Sequence, residues 1–206
     1  MLTTHPRNAQ GSAPHDDTRA PIWLDLLDPN EDERKRAAAL LGCELPTRKQ
    51  VGSIALSSRV RASEEMLRIN IPGFVRSDGG QGAMTPLGIL LTPTLLVTLR
   101  YADSIAFDRL TKDLARDTQP ASSVEAFVNL FESVGETAAD RMQTLSNELS
   151  LLSREIFSDR AGHSQMLRGV LFQTGRIQRQ MSQIRSAILG VQRGLLPRQR
   201  ADRLGE

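Results

Sequence analysis

The chain of 206 residues contains a single cysteine, Cys43, so it forms no internal disulfide and has no thiolate cluster for zinc. A reducing, intracellular setting fits that usage. Histidine is scarce too: His5, His15 and His163 are far apart, and none has a second ligand at metal-binding spacing. Aromatic residues make up 4% of the chain, with one tryptophan and one tyrosine. Nucleic-acid binding by base stacking therefore lacks its usual platform, and a formal net charge of +2 is no substitute for a reading motif. No apolar run reaches the roughly 20 residues that cross a bilayer. The most apolar stretch, Leu87 to Leu99, is interrupted by Thr92, Pro93 and Thr94. A secretory signal at the N-terminus is also missing.

Catalytic signatures are equally thin. The cluster Gly79-Gly80-Gln81-Gly82 lies between two strand-like segments, where it reads as a turn; a phosphate loop requires a following helix and, in the P-loop, a lysine. Asp25 and Asp28 end a strand, and Asp28 is expected to cap the next helix rather than to work in acid-base chemistry. Trp23 reads as core. The sequence assigns no catalytic residue, no cofactor-binding residue and no metal ligand, and so no enzyme activity.

What the sequence does contain is pattern. With 39% apolar residues it can bury a core. Residues 1–20 are polar and aperiodic and are expected to be a disordered arm. Residues 21–120 read as an α/β unit: a strand from Ile22 to Leu27, a helix ending at Gly42, and a short helix from Thr47 to Leu56. Strand segments follow at Arg59 to Arg61, Met66 to Ile71, Phe74-Val75, Leu87 to Leu91 and Leu95 to Arg100, and then a helix from Ser104 to Arg116. In Asp28-Pro29-Asn30-Glu31, Asp28 and Glu31 are expected to form the capping box of the first helix, while Pro72-Gly73 is expected to interrupt a strand. The strands suggest a mixed, mostly antiparallel sheet flanked by helices.

Residues 121–200 differ. Val124, Val128, Phe131, Val134, Ala138, Met142, Leu145, Leu149, Leu152 and Ile156 recur at threes and fours, and so do Leu167, Val170, Thr174, Ile177, Met181, Ile184, Ile188, Val191 and Leu195. Each series predicts a long helix with a narrow apolar seam. The first helix is rich in carboxylates (Glu125, Glu132, Glu136, Asp140, Glu148, Glu155), whereas from His163 to Arg200 every charged residue is an arginine. The short connection with Gly162 predicts a long antiparallel two-helix hairpin, with opposite charges facing across it and residues 201–206 as a tail.

Several stretches taken together carry a resemblance. Trp23-Leu24-Asp25-Leu26-Leu27-Asp28-Pro29, Leu45-Pro46-Thr47-Arg48, Ser57-Ser58-Arg59, Thr85-Pro86-Leu87-Gly88-Ile89-Leu90-Leu91-Thr92 and Leu96-Val97-Thr98-Leu99-Arg100-Tyr101, followed by two long helices, closely resemble the cytoplasmic N-terminal domain of the CorA-type divalent cation transporters, the ZntB-like branch included. That resemblance implies an α/β sandwich with a helical hairpin, on the cytoplasmic side of the plasma membrane, in a homopentamer. It also implies a stalk helix and two membrane helices with a Gly-Met-Asn signature, which follow in the family and are not in this sequence. The expectation is a soluble regulatory and assembly domain that does not itself conduct magnesium or another divalent cation. Its partners would be the stalk and membrane helices of the same transporter and the other protomers. Family members that sense magnesium between protomers use carboxylates, often one on the short helix; here Thr47 to Leu56 has none, and no ligand is carried over. The alternative is a free-standing helical-hairpin scaffold that binds a helix-rich protein.

Overall fold

The structure, a computed structural model, describes residues 1–6, 21–52, 60–63, 65–75, 84–116, 120–157, 169–182, 184–185 and 189. A six-stranded sheet forms the centre: β1 (Leu2–Pro6), β2 (Pro21–Leu27), β3 (Val60–Ala62), β4 (Leu67–Phe74), β5 (Met84–Leu91) and β6 (Leu96–Arg100), in the order β1-β2-β6-β5-β4-β3. All neighbours are antiparallel except β2 and β6, which run parallel with Trp23 opposite Leu96 and Asp25 opposite Thr98. The mixed, mostly antiparallel sheet expected from the sequence is therefore present. Helices α1 (Glu31–Leu41) and α2 (Arg48–Val51) cover one face, and α3 (Ile105–Arg116) and α4 (Ser123–Phe157) cover the other.

Strand alternation sends the two sets of side chains to different layers. Trp23, Ile69, Ile71, Leu87, Ile89 and Leu96 pack with Phe107 and Leu110 of α3 and Phe127 and Leu130 of α4. Leu24, Leu26, Leu90, Val97 and Leu99 pack with Ala37 of α1 and with Leu45. Gly88 matters on this second face: a Cβ there would stand 3.2 Å from both γ-carbons of Val51, so glycine lets α2 lie directly on β5.

Three expectations need correction. Residues 1–20 are not an unstructured arm throughout, because Leu2–Pro6 form β1, paired from Leu2 opposite Leu26 to His5 opposite Trp23; residues 7–20 lie outside the described set. Composition hid the strand, since its order comes from the open edge of β2. The cap of α1 is Asn30, whose side chain accepts from the Glu33 N–H at 2.9 Å while the Glu33 carboxylate accepts from the Asn30 N–H at 3.0 Å. Asp28 is excluded from that role by its left-handed backbone, with φ 41° and its N–H donated to Arg100 O. Finally, β4 runs straight through Pro72-Gly73. Pro72 faces Pro86, and neither needs an N–H on its outer side: β3 pairs only as far as Ile69, and β6 only as far as Leu87.

Helix α4 has 35 residues, which at about 1.5 Å each spans roughly 50 Å. Ser122 accepts from the Glu125 N–H at its start, and the Ser123 hydroxyl donates to Thr92 O and Pro93 O, tying it to the β5–β6 turn. Its apolar residues serve two masters. Ala126, Phe127, Leu130, Phe131 and Val134 belong to the sheet layer, so the expected seam positions Val124 and Val128 are not buried. From Ala138 onward the seam is narrower than read: Ala138, Leu145 and Leu152 cluster with Ile177 and Ile184 of a second helix, residues 169–182 and 184–185, with Met142, Val170 and Met181 packed alongside, while the expected seam positions Leu149 and Thr174 are exposed. Glu148, late in α4, accepts from Arg176, early in the second helix, at 2.8 Å, as an antiparallel hairpin requires. The connection containing Gly162, and the series from Ile188 to Leu195, lie outside the described residues.

Spin labels on the exposed residues Ala139 and Arg185 should then lie closer together than labels on Ser153 and Arg185, by roughly 10 Å or more given the axial rise of a helix; the reverse order contradicts the antiparallel hairpin. Ile177, only 4% exposed, should not tolerate a carboxylate: Ile177→Asp is expected to cost about 3 kcal/mol or more in denaturant titration.

Candidate functional site

The sheet contains one elaborate polar cluster, at the C-terminal ends of its parallel pair. Asp25 of β2 is 5% exposed. The Arg100 guanidinium of β6 reaches back to it as a fork, with Nε at 2.9 Å and Nη2 at 2.7 Å from Oδ2. The Thr98 hydroxyl donates to Asp25 Oδ1 at 2.8 Å and accepts the Trp23 indole N–H at 3.1 Å. Phe107 lies under the Arg100 guanidinium at 4.7 Å, and Asp103 approaches it from the solvent side at 3.7 Å. Every strong valence of Asp25 is used, which leaves it no part as an acid, a base or a cation ligand. Asp28 faces a different task, as the left-handed residue that turns β2 into α1. The two aspartates do not make a carboxylate pair.

The sequence reading named Asp25 but missed its partners. The signal was present: an acid and a base, each within an otherwise apolar strand, with Trp23 and Thr98 one strand step away on the same faces. What a linear reading lacked was the parallel pairing of β2 with β6 that joins them.

The short helix α2 builds a basic corner. Thr47 caps it, accepting from the Gln50 N–H, and Gln50 returns the bond. Arg48 stacks on Tyr101 with its guanidinium 4.9 Å from the ring centre, while Arg34 donates to Leu45 O and Pro46 O. Burial pushes the Tyr101 phenol above its ordinary range, and the Arg34 and Arg48 charges oppose that. Asn70 anchors α2 from below, donating to Gln50 O at 3.4 Å.

The carboxylates of α4 are engaged unevenly. Glu148 meets Arg176 across the hairpin, but Glu136 and Asp140 are both held by Arg109 of α3, not by the second helix. Those two carboxylates and the surrounding charge hold the Arg109 guanidinium above its ordinary value. Among the described residues no group of three or more His, Cys, Asp or Glu side chains is placed to hold a metal ion. Cys43 sits beside Met66, 4.0 Å from its sulfur, and His5 lies against Trp23; His15, His163 and the turn expected at Gly79 to Gly82 fall outside the described residues. A shallow cleft of about 360 Å³ opens beside the start of α4, lined by Pro21, Ile22, Leu40, Pro93, Leu95 and Ser122 among others, and contains no charged side chain. No described helix is long and apolar enough to cross a membrane.

A mixed sheet with α-helices on both faces and a helix running far past its edge defines a class that known proteins share. Residues 19–205 match the family described as CorA-like Mg2+ transporter protein, and the chain belongs to that family. The magnesium transport protein CorA of Pectobacterium atrosepticum is 32% identical over 149 residues, 71% of this chain and 47% of that protein; CorA of Escherichia coli strain K12 is 29% identical over 143 residues, 68% and 45%. The chain thus spans about half the length of the curated relatives it matches. Among solved structures, the soluble domain of CorA from Methanocaldococcus jannaschii has a similar fold, with a TM-score of 0.54 at 13% identity over 95% of both chains. The complete CorA magnesium transporter of the same organism aligns at a TM-score of 0.65 and 15% identity, over 95% of this chain and 61% of that one.

Removing one member of the buried pair should be costly. Asp25→Ala, which strands Arg100 in a site where its side chain is 14% exposed, is expected to lose about 3–5 kcal/mol in urea titration. The double variant Asp25→Leu with Arg100→Leu should recover a large part of that loss. Equal, small effects in both would show that the cluster is not what locks β2 to β6.

Proposed function

We propose that this chain is the cytoplasmic regulatory and assembly portion of a transporter for magnesium or a related divalent cation, acting when joined to stalk and membrane helices and to other protomers in a homopentamer. It is not an enzyme and does not itself form the conduction path. The observation that carries this reading is the likeness of fold to a CorA soluble domain over 95% of both chains. The curated relatives are about twice as long as the region they share with this chain, which leaves room for the stalk and membrane helices this reading requires. In this reading α4 is the working element, one helix rooted in the sheet layer and continuing into the hairpin.

A magnesium-sensing site is not assigned. The described short helix reads Arg48-Lys49-Gln50-Val51 and has no carboxylate, its Gln50 oxygen being bonded to the Thr47 N–H, and the carboxylates Glu136, Asp140 and Glu148 already have arginine partners. Hard divalent cations need several oxygen ligands, usually anionic ones. Millimolar magnesium should therefore leave the melting temperature of this chain where matched sodium chloride leaves it. A site filled to a hundred times its dissociation constant would add about 2.7 kcal/mol, a shift of several degrees.

The reading is tested by fusing this chain in frame to the stalk and membrane helices of the Pectobacterium atrosepticum CorA in a bacterium deficient in magnesium uptake. Uptake should return with the fusion and not with this chain alone. A fusion that reaches the membrane, cross-links as a pentamer and yet stays inactive counts against the assignment. The second reading, a hairpin scaffold for another helical protein, is favoured by the exposure of Leu151, Leu171 and Phe172, at 63%, 71% and 76%. It would be preferred if the inactive fusion were joined by a soluble partner lost on Phe172→Ser.

A further inference from the structure

The two parallel strands end side by side, and the chain leaves them in opposite directions. β2 turns at Asp28 into α1 on one face of the sheet, whereas β6 passes through Tyr101 to α3 on the other. The Asp28 N–H, donated to Arg100 O at 2.8 Å, ties the two strand ends together. Adjacent parallel strands whose helices diverge in this way leave a crevice outside their carboxyl ends, the place where open α/β sheets hold ligands. The α1 side of this crevice is lined by cations. Arg34, half-buried on α1, donates through Nη2 to Leu45 O at 3.0 Å and Pro46 O at 3.1 Å, which fixes its guanidinium against the segment entering α2. Arg48, exposed on α2, lies over the Tyr101 ring at 4.9 Å and has no ion pair or guanidinium hydrogen bond among the described residues. The Tyr101 hydroxyl oxygen is buried and lacks a hydrogen-bond partner among those residues. Both arginine charges reach the phenol, yet Arg34 does not stand in hydrogen-bonding geometry to it. Burial keeps the phenol protonated, so its hydroxyl remains a donor. Asp28 is the carboxylate whose charge also reaches the phenol, and it forms no ion pair with either arginine.

We propose that this crevice binds a phosphate dianion, as the free ion or as a phosphomonoester, held by the guanidinium groups of Arg34 and Arg48 and by the Tyr101 hydroxyl. Two guanidinium groups present planar sets of N–H donors and a combined charge that matches a dianion, and the phenol adds a neutral donor that the fold leaves unused. A carboxylate, with two oxygens and one charge, would satisfy only part of that set. The two arginines have different parts. Arg34 is the fixed wall, because two backbone carbonyls hold it. Arg48 is the movable one: held by the ring alone, its exposed side chain can swing aside to admit an anion to the buried hydroxyl and then close on it.

Tyr101 is the only tyrosine, so isotope-labelled tyrosine gives one set of ring signals in the nuclear magnetic resonance spectrum, and they report this crevice. At about pH 8, where phosphate is a dianion, inorganic phosphate should shift those signals to saturation, and sodium chloride at matched ionic strength should not reproduce the change. Arg48→Gln should weaken binding about tenfold or more, as the loss of a charge-assisted hydrogen bond implies, with the helical circular dichroism signal unchanged. Lys49→Gln, which removes a neighbouring exposed charge from the same short helix, should weaken it only about twofold. Equal losses in the two variants would mean diffuse attraction to a basic surface and would overturn the proposal. A wild-type shift that never saturates, or that chloride reproduces, overturns it without recourse to any variant. Dimethyl phosphate, a monoanion, should bind at least about tenfold more weakly than inorganic phosphate, and equal binding would overturn the assignment to a dianion. Glycerol 3-phosphate separates the two sources: tighter binding than inorganic phosphate assigns the site to a phosphorylated molecule, and weaker binding assigns it to the free ion.

Discussion

The constraint on which this structure depends is that one unbroken helix, α4, is buried twice. Its first half contributes Phe127, Leu130, Phe131 and Val134 to the layer over the sheet, and its second half contributes Ala138, Leu145 and Leu152 to the hairpin. Neither partner surface could be covered by a short helix. Because a helix resists bending, the direction in which the α/β part presents α4 fixes where the hairpin lies. Arg109 strengthens the junction by holding Glu136 and Asp140 just where the helix leaves the sheet layer. Gly135 sits at the same place, with open space where a side chain would be.

The sheet that roots α4 is organised around its single parallel pairing. Strands β3 to β6 join neighbours by antiparallel connections, but β2 reaches β6 only after the chain has passed through α1, α2 and three strands. The Asp25, Thr98 and Arg100 cluster marks that long-range pairing. A slip of β2 by one residue would turn Asp25 into the α1 face, among Leu90, Val97 and Leu99, and away from Thr98 and Arg100. A buried ion pair adds little net stability over apolar residues, so its value here lies in register.

How much of this was legible in the sequence follows from range. Local signals read well: the helix stop at Gly42, the strands β5 and β6, the start of α3, and the seam positions Ala138, Leu145 and Leu152 all rest on neighbours within a few residues, whereas the seam position Leu149 is exposed. The misses rest on contacts from afar. Strand β1 exists because β2 has an open edge, Asp28 lost its capping role to a left-handed backbone whose N–H donates to Arg100 O, and Phe127 and Leu130 answer to a sheet that lies tens of residues earlier. The absence of any nominated catalytic or metal residue came from composition and motif spacing. The structure adds the reason the tempting aspartates are occupied.

The chain belongs to the CorA-like Mg2+ transporter family, and the physical claim about its fold is that α4 makes the α/β layer and the hairpin a single cooperative body. Denaturant unfolding followed by two probes tests it most directly. Trp23 fluorescence reports the sheet layer, and a fluorophore attached at position 178 on the second helix reports the hairpin. The account predicts coincident transitions with one midpoint. A hairpin signal lost at markedly lower denaturant, with Trp23 still native, would contradict it and make the helix a tether between two independent units.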